Sequence, residues 1–449
     1  MPLIEFFGDS GQDSDNPQAN TSRLINCYRE QLTDGQVILK SVLGMEPFSS
    51  VTGVFVRDMI YFGGVLNLAC NGIVWSINDA GTAVELFDII ESAQTTLSSN
   101  QANITIAAGG EYYGWDGAAL ATPTGGAFDD VGSVEFLNNY TLMTERAGRR
   151  IQWSNLAAPT SLNGLYFATA DGRDDDIIRG ITLGTFFWVL KETSHEIWYN
   201  TGGGGALAFS RIAGGVRDVG LLDYSLVARI PGSMTGAAFM IGGNERGYLI
   251  GGTEAQRVTT APVETAIKTA EPVNVLAYED EGKTFIAIIF RDAPAWVMDL
   301  STQEWHERGE GADHTRWTAA ISAKMGLSWY VARNNGEVSI LQRSGKDGAA
   351  PLIKQIVCRT LPTDGQRPVV KEFELFPSQG TSDADVRLAV SRDSGRTYTL
   401  DKVRKLGGVG NYDERLIWRN QGQCRNFTAR IEWSTADDIT FKAVARYVI

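Results

Sequence analysis

The chain has 449 residues, of which 43% are hydrophobic and 21% charged, with 49 glycines and a formal net charge of −13 at pH 7. A length beyond the size at which single cores stop growing predicts two domains, and abundant glycine without a dominance of Lys, Glu or Leu points to a turn-rich all-β protein. The acidic balance argues against a protein that grips nucleic acid by its phosphates, which needs clustered Lys and Arg; it fits ordinary solubility, or a passage along which DNA slides without sticking.

The first predicted strand is Leu3–Phe7, followed by a polar loop, Gly8–Pro17, dense in turn formers. Arg23–Tyr28 and Gln36–Lys40 read as strands joined through the turn Thr33-Asp-Gly35. The N-terminus lacks a basic region and a long apolar core, and no stretch approaches the roughly 18 apolar residues of a membrane span, so a chain made and kept in solution is expected. Cys27, Cys70, Cys358 and Cys424 are scattered without a C-x-x-C pair. Four buried thiols in a reducing compartment are the expectation, with neither a zinc ribbon nor a disulfide framework.

From about residue 50 a unit of strand, glycine turn and strand recurs. Its markers are Trp75, Trp115, Trp153, Trp198, Tyr248, Trp296 and Ile340, at intervals of 40, 38, 45, 50, 48 and 44 residues. Propeller blades of four strands repeat at such a period, and no helical pattern is read between the markers, so six to seven blades are predicted. The repeat ends in the polar stretch Lys346–Pro351. Longer strands follow at Val369–Phe376, Val386–Val390, Leu416–Trp418, Phe427–Trp433 and Thr440–Val448, which suggest a small β-sandwich completed by the N-terminal hairpin. The expected fold is therefore all-β, with residues 1–49 as an N-terminal arm joining a platform, 50–350 as the β-propeller and 351–449 as the sandwich.

The glycine run Thr201–Gly205 lacks the Lys-Ser/Thr of a Walker loop and reads as a mobile blade loop. Asp171-Gly-Arg-Asp-Asp-Asp176 has carboxylates suited to calcium but not the ligand spacing of an EF-hand, so a solvated acidic loop is expected. His306 and His314 lie near Glu307, Glu310 and Asp313, yet no tight metal-binding spacing links them, and His195 stands apart. No G-x-S-x-G nucleophile turn occurs. No catalytic residue, cofactor or metal is expected.

The sharpest motif is Ser391-Arg-Asp393-Ser-Gly395-Arg-Thr397-Tyr398, which leaves the alternating strand Val386–Val390 and fits the Asp box, S-x-D-x-G-x-T-W/Y, of sialidase blades. In that setting the box is a hairpin device, in which Asp and Thr side chains satisfy turn backbone groups. A sialidase should repeat the box on several blades and add an arginine cluster with a Tyr and a carboxylate pair. A single box outside the repeat favours a structural turn, with a propeller glycoside hydrolase or glycan-binding tail protein as the alternative.

Read with Leu406-Gly407-Gly-Val-Gly410-Asn-Tyr412 and Leu416-Ile-Trp418-Arg-Asn-Gln-Gly-Gln-Cys-Arg425, this C-terminal pattern resembles the packaged-DNA stabilisation proteins of short-tailed bacteriophages, the tail hub or nozzle proteins. At the other end, Asn26-Cys-Tyr28-Arg-Glu30, followed by Leu39–Met45, is similar to that family's opening, with Leu43-Gly44 in place of a Pro-Gly. The resemblance implies a virion protein of the tail, assembled in the bacterial host cytoplasm. It implies a homo-hexameric ring below the portal and tail adaptor proteins that closes the exit channel, retains packaged DNA and offers docking surfaces to tailspike, fibre or plug proteins. Double-stranded DNA would pass through such a ring without specific binding.

Overall fold

The computed structural model describes residues 4–5, 22–100, 102–360 and 367–448. The predicted loop Gly8–Pro17 lies outside them. The chain divides into two compact units, Pro47–Ile289 with Thr318–Ile340, and Met1–Glu46 with Phe290–Trp317 and Leu341–Ile449.

The larger unit is radial. Five successive antiparallel sheets of four strands each begin with Val56–Phe62, Thr95–Ser99, Val131–Leu137, Ile177–Leu183 and Val227–Arg229. Pro272–Asp280 and Ala319–Met325 supply two more first strands. Each first strand neighbours the next, and Ala319–Met325 returns to Val56–Phe62; between the fourth and fifth, Arg229 Nε donates to Thr182 O at 3.3 Å. Seven innermost strands thus close a ring, the arrangement of a propeller. The core lies between successive sheets: Ala69 and Val74 of the first pack with Leu97 and Ile104 of the second, and Leu142 and Trp153 of the third with Phe187 and Val189 of the fourth. Strands covered on both faces become almost wholly apolar, as in Ile104–Ala108, where every residue is buried and only Thr105 is polar.

All seven sequence markers fall on the third strand of their sheets: Trp75, Trp115, Trp153, Trp198, Tyr248, Trp296 and Ile340. One element escaped the pattern. Ala261–Thr269 is an α-helix, entered from Thr260 with a proline in its first turn and burying Val263, Glu264 and Ile267. Glu264 tolerates burial because it accepts bonds from Arg257 Nε at 2.7 Å and Thr259 Oγ1 at 2.9 Å.

The second unit is a β-sandwich built from both termini. In one sheet Lys354–Val357 pairs with Arg23–Ile25 and Thr428–Trp433, and the latter pairs with Asp385–Ser391, which carries Lys402–Lys405 on its other edge. The facing sheet centres on Val369–Leu375, between Leu416–Gln423 and Val444–Val448. Leu24, Phe373, Leu388, Trp418, Phe427, Ile431 and Phe441 fill the core between them. The hairpin of Cys27–Gln31 with Val37–Ser41 joins through Phe441–Lys442.

Residues 290–317 carry Ala295–Asp299 and Glu304–Arg308, the third and fourth strands of the sheet that begins with Pro272–Asp280, as the repeat predicts, and they also cluster with this second unit. Ile25 pairs in parallel with Glu307, Arg23 forms an ion pair with Glu307 at 2.6 Å, and Asn26 bonds to Gly309. All four cysteines are buried free thiols, and no helix among the described residues is long and apolar enough to cross a membrane.

Candidate functional site

The residues of the C-terminal motif converge on one turn. Asp385–Ser391 and Lys402–Lys405 pair in antiparallel register, and the chain between them reverses through Ser394 and Gly395, whose φ angles are +60° and +86°. Such angles favour glycine and raise the cost for Ser394, so side chains must hold the turn. Asp393 does so. Its carboxylate accepts the Thr397 amide at 2.9 Å, Thr397 Oγ1 at 2.7 Å and Ser391 Oγ at 2.7 Å, while Ser391 Oγ accepts the Gly395 amide at 2.8 Å. The Thr397 amide and the two hydroxyl donors favour the ionised carboxylate and hold its pKa down at about 2. Tyr398 lies under the Arg430 guanidinium, 4.6 Å from the ring centroid.

The other motif residues are framework around this hairpin. Trp418 is buried and its indole N–H donates to Lys402 O at 2.8 Å, tying the facing sheet to the strand after the turn. Gly407 and Gly410 occupy positive φ, and Gly407 O accepts the Gly380 amide at 3.3 Å. Tyr412 is 70% exposed, yet its ring covers Gly380 so closely that a Cβ there would lie 2.2 Å from Cε1. Arg425 is exposed beside the turn.

The N-terminal motif is a second keystone. Asn26 is fully buried at φ +57°. Its Nδ2 donates to Gly309 O at 2.8 Å and Ile353 O at 2.7 Å, and its Oδ1 accepts the Gly309 amide at 3.1 Å. The amide and carbonyl bond to Glu307 and Val42. One residue thereby satisfies three separate segments, which explains an asparagine in a left-handed position. Tyr28 packs on His306, and Glu30 pairs with Lys40 at 3.2 Å. Gly44 is required sterically, since a Cβ would lie 2.4 Å from Lys346 O.

The propeller axis holds the groups that a glycosidase reading requires. A space of roughly 320 Å³ is lined by Asp58, Arg179, Tyr224 and Arg229 among others, and the buried Glu135 pairs with the exposed Arg229. Their side chains are placed by irregular backbone. Register shifts interrupt the first strands between Val56 and Asp58, Val131 and Ser133, Ile177 and Arg179, and Ala319 and Ile321, and such bulges re-aim the side chains next along the strand. Side chains of the first strands also stitch neighbouring sheets: Asp58 accepts the Leu97 amide at 2.8 Å, Thr96 the Val134 amide at 3.0 Å, and Ser133 the Gly180 amide at 2.9 Å.

These contacts define what the axis can do chemically. Tyr224 donates its hydroxyl to Gly132 O at 2.9 Å, and burial pushes its pKa up to about 12. Glu135 is committed to Arg229, and Asp58 accepts two backbone amides. Burial raises both carboxyl pKa values, opposed by Arg229 and Arg179. The groups are engaged in holding blades together. No sequence spacing could have found them, because Asp58, Glu135, Arg179 and Arg229 come from four different sheets.

The histidines stand in three places. His195 Nδ1 contacts Val219 O at 2.7 Å and the ring stacks on Trp188; His306 is buried, which pushes its pKa down to about 3; His314 Nε2 contacts Ile353 O at 3.1 Å. Among the described residues no cluster of three metal-ligating side chains occurs. The glycine run is pinned, with Gly202 and Gly203 amides bonded to Asn200 and Thr201 side chains and Gly205 O accepting the Trp153 indole N–H at 2.8 Å. The acidic stretch 171–176 is not simply solvated: Asp175 is buried against the Lys191 ammonium at 2.7 Å, and Arg149, Arg173 and Arg211 pair with Asp174, Asp218 and Asp171.

Comparison with known proteins agrees with both domain types. Among solved structures, the chain resembles the computationally designed Ika8 protein (TM-score 0.44, 13% identity, 72% of this chain and 99% of that one). It also resembles the N-terminal domain of Nup159 (0.42, 9%, 71% and 98%) and the Neurospora crassa Pan2 WD40 domain (0.46, 8%, 67% and 95%). Scores at this level add nothing to the sheets described above. Curated proteins yield no match. The family model for the bacteriophage P22 Gp10 β-propeller matches residues 28–344, and that for the P22 Gp10 β-sandwich matches residues 354–445. The chain therefore belongs to the P22 Gp10 family of phage packaged-DNA stabilisation proteins, structural components of the virion tail and not an enzyme family.

Proposed function

We propose that the protein is a hub or nozzle subunit whose copies assemble as a hexameric ring below the portal and tail adaptor, close the exit channel over packaged DNA and dock spike, fibre or plug proteins. The observation that carries this reading is the match of both family domains, in order, across nearly the whole chain. Two physical points support it. The axial space of one propeller, roughly 320 Å³, is too small for duplex DNA, whose major groove alone is ~12 Å wide, so a conduit has to form between copies. A net charge of −13 suits a lumen that repels the duplex it conducts. Electron microscopy of the chain incubated with portal and adaptor proteins tests the reading: rings of six are expected, and a protein that stays monomeric in their presence refutes it.

A second reading, hydrolysis or binding of a glycan at the propeller axis, draws on the cluster of Arg179, Arg229, Tyr224 and two carboxylates. The engagement of those groups in contacts between sheets weighs against it. Turnover of fluorogenic sialosides that disappears in Asp58→Asn or Glu135→Gln would reverse the preference.

A further inference from the structure

Beside the Asp-box turn lies a cleft of roughly 440 Å³ lined by Arg367, Arg392, Arg396 and Arg425, with Asp393, Ser394, Gln423, Cys424 and Asn426 completing its wall. Four arginines and one carboxylate line it, in a chain whose overall charge is −13. That carboxylate, Asp393, is already saturated by Ser391 and Thr397 and holds the turn. Arg367, Arg392 and Arg396 form no ion pair with a carboxylate among the described residues. Arg392 is held in place instead, with Nη2 donating to Gln421 O at 3.1 Å and its guanidinium lying over Gly422, where a Cβ would lie 2.5 Å from Nη2. Gly422 has φ +90°, so the backbone itself makes room for the guanidinium.

We propose that this cleft is a docking site for a carboxylate-rich segment of a protein partner. The planar fork of arginine matches a carboxylate with two parallel hydrogen bonds, and a group of arginines around one cleft, one of them anchored, recognises several such groups together. The size of the cleft, roughly 440 Å³, selects a short acidic segment over DNA. Single side-chain carboxylates can enter it, whereas a duplex, whose major groove alone is ~12 Å wide, meets only its rim. The proposal deepens the docking role given above and rests on it only for where the partner is found; a failed titration with rings intact removes the cleft and leaves the hub reading standing.

The test is fluorescence anisotropy of a labelled oligoglutamate peptide against the full chain, with an oligoglutamine peptide and a short DNA duplex measured at the same salt. Salt-sensitive binding of oligoglutamate alone is expected. The double variant Arg367→Glu, Arg396→Glu should weaken it by at least ~10-fold, whereas Arg387→Glu, an exposed reversal outside the cleft, should leave it intact. Far-UV circular dichroism checks that the double variant folds; if it does not, Arg396→Gln alone should still lower affinity. No oligoglutamate binding, binding indifferent to these arginines, or duplex binding tighter than the peptide through the same arginines overturns the proposal.

Discussion

Asp175 in the propeller and Asp393 in the sandwich solve one problem in two environments. Each accepts hydrogen bonds from a backbone amide and from Ser and Thr hydroxyls across a turn, and each has its pKa brought down to about 2. For Asp175, burial pushes the pKa up, and Lys191, Thr193 and Ser194 more than reverse it. For Asp393 the hydrogen bonds act almost unopposed, because the turn lies at the surface. Equal pKa values therefore hide unequal structural weight. Removing a partner strands a charge in the first case and only loosens a loop in the second.

The largest effect should come from Lys191→Met. Its ammonium, wholly buried, lies 2.7 Å from Asp175 and 4.0 Å from Glu196 and donates to Ala170 O and Arg173 O. Loss of the cation leaves the buried Asp175 carboxylate without a counter-charge, while Glu196 keeps Arg211 at 3.2 Å; stranding such a charge costs about 3–5 kcal/mol. Urea denaturation should show it as a lower midpoint at unchanged slope. A variant as stable as the parent would mean that the acidic stretch 171–176 is supported from elsewhere.

Asp175→Asn should cost less, about 2 kcal/mol, since the amide keeps part of the turn bonding. Its distinguishing mark is pH. The folded pKa lies below the unfolded value, so ionised Asp175 stabilises the fold above pH ~4, and that contribution is lost as pH falls towards about 2. The stability curves of parent and variant should be separated at neutral pH and draw together in acid. Parallel curves down to pH 2 would show that Asp175 is not the titrating group.

How far these features were legible in the sequence depends on the range over which they act. Third-strand aromatics such as Trp75 and Trp153 mark the repeat because each blade buries the same edge against its neighbour, so a local pattern recurs at the blade period. Ser391–Tyr398 is equally legible, because an Asp-box turn satisfies itself within eight consecutive residues. The helix Ala261–Thr269 carried its own signals in Thr260, Pro262 and the Glu264–Lys268 spacing, but these were masked by the surrounding strands. The Lys191 knot, the Asn26 keystone and the axial stitches join residues from different strands and sheets, and nothing local in the chain announces such partners.

The smallest global effect should belong to Asp393→Ala. Three donors lose their acceptor, and Ser394 keeps a strained φ with less to hold it. The strands on either side still pair, however, and Leu388, Trp418 and Ile431 stay buried beneath them. Amide exchange from Ser391 to Thr397 should therefore accelerate while the denaturation midpoint moves less than in Asp175→Asn. Thr397→Val should reproduce part of that local change, and adding it to Asp393→Ala should add little, because both act through the same bonds. A midpoint loss as deep as that of Lys191→Met would erase the contrast between the two aspartates and make the turn an organiser of the whole sandwich. In that event any loss of ring assembly in Asp393→Ala would report folding. A folded variant that fails to assemble would place the turn at the subunit contact itself.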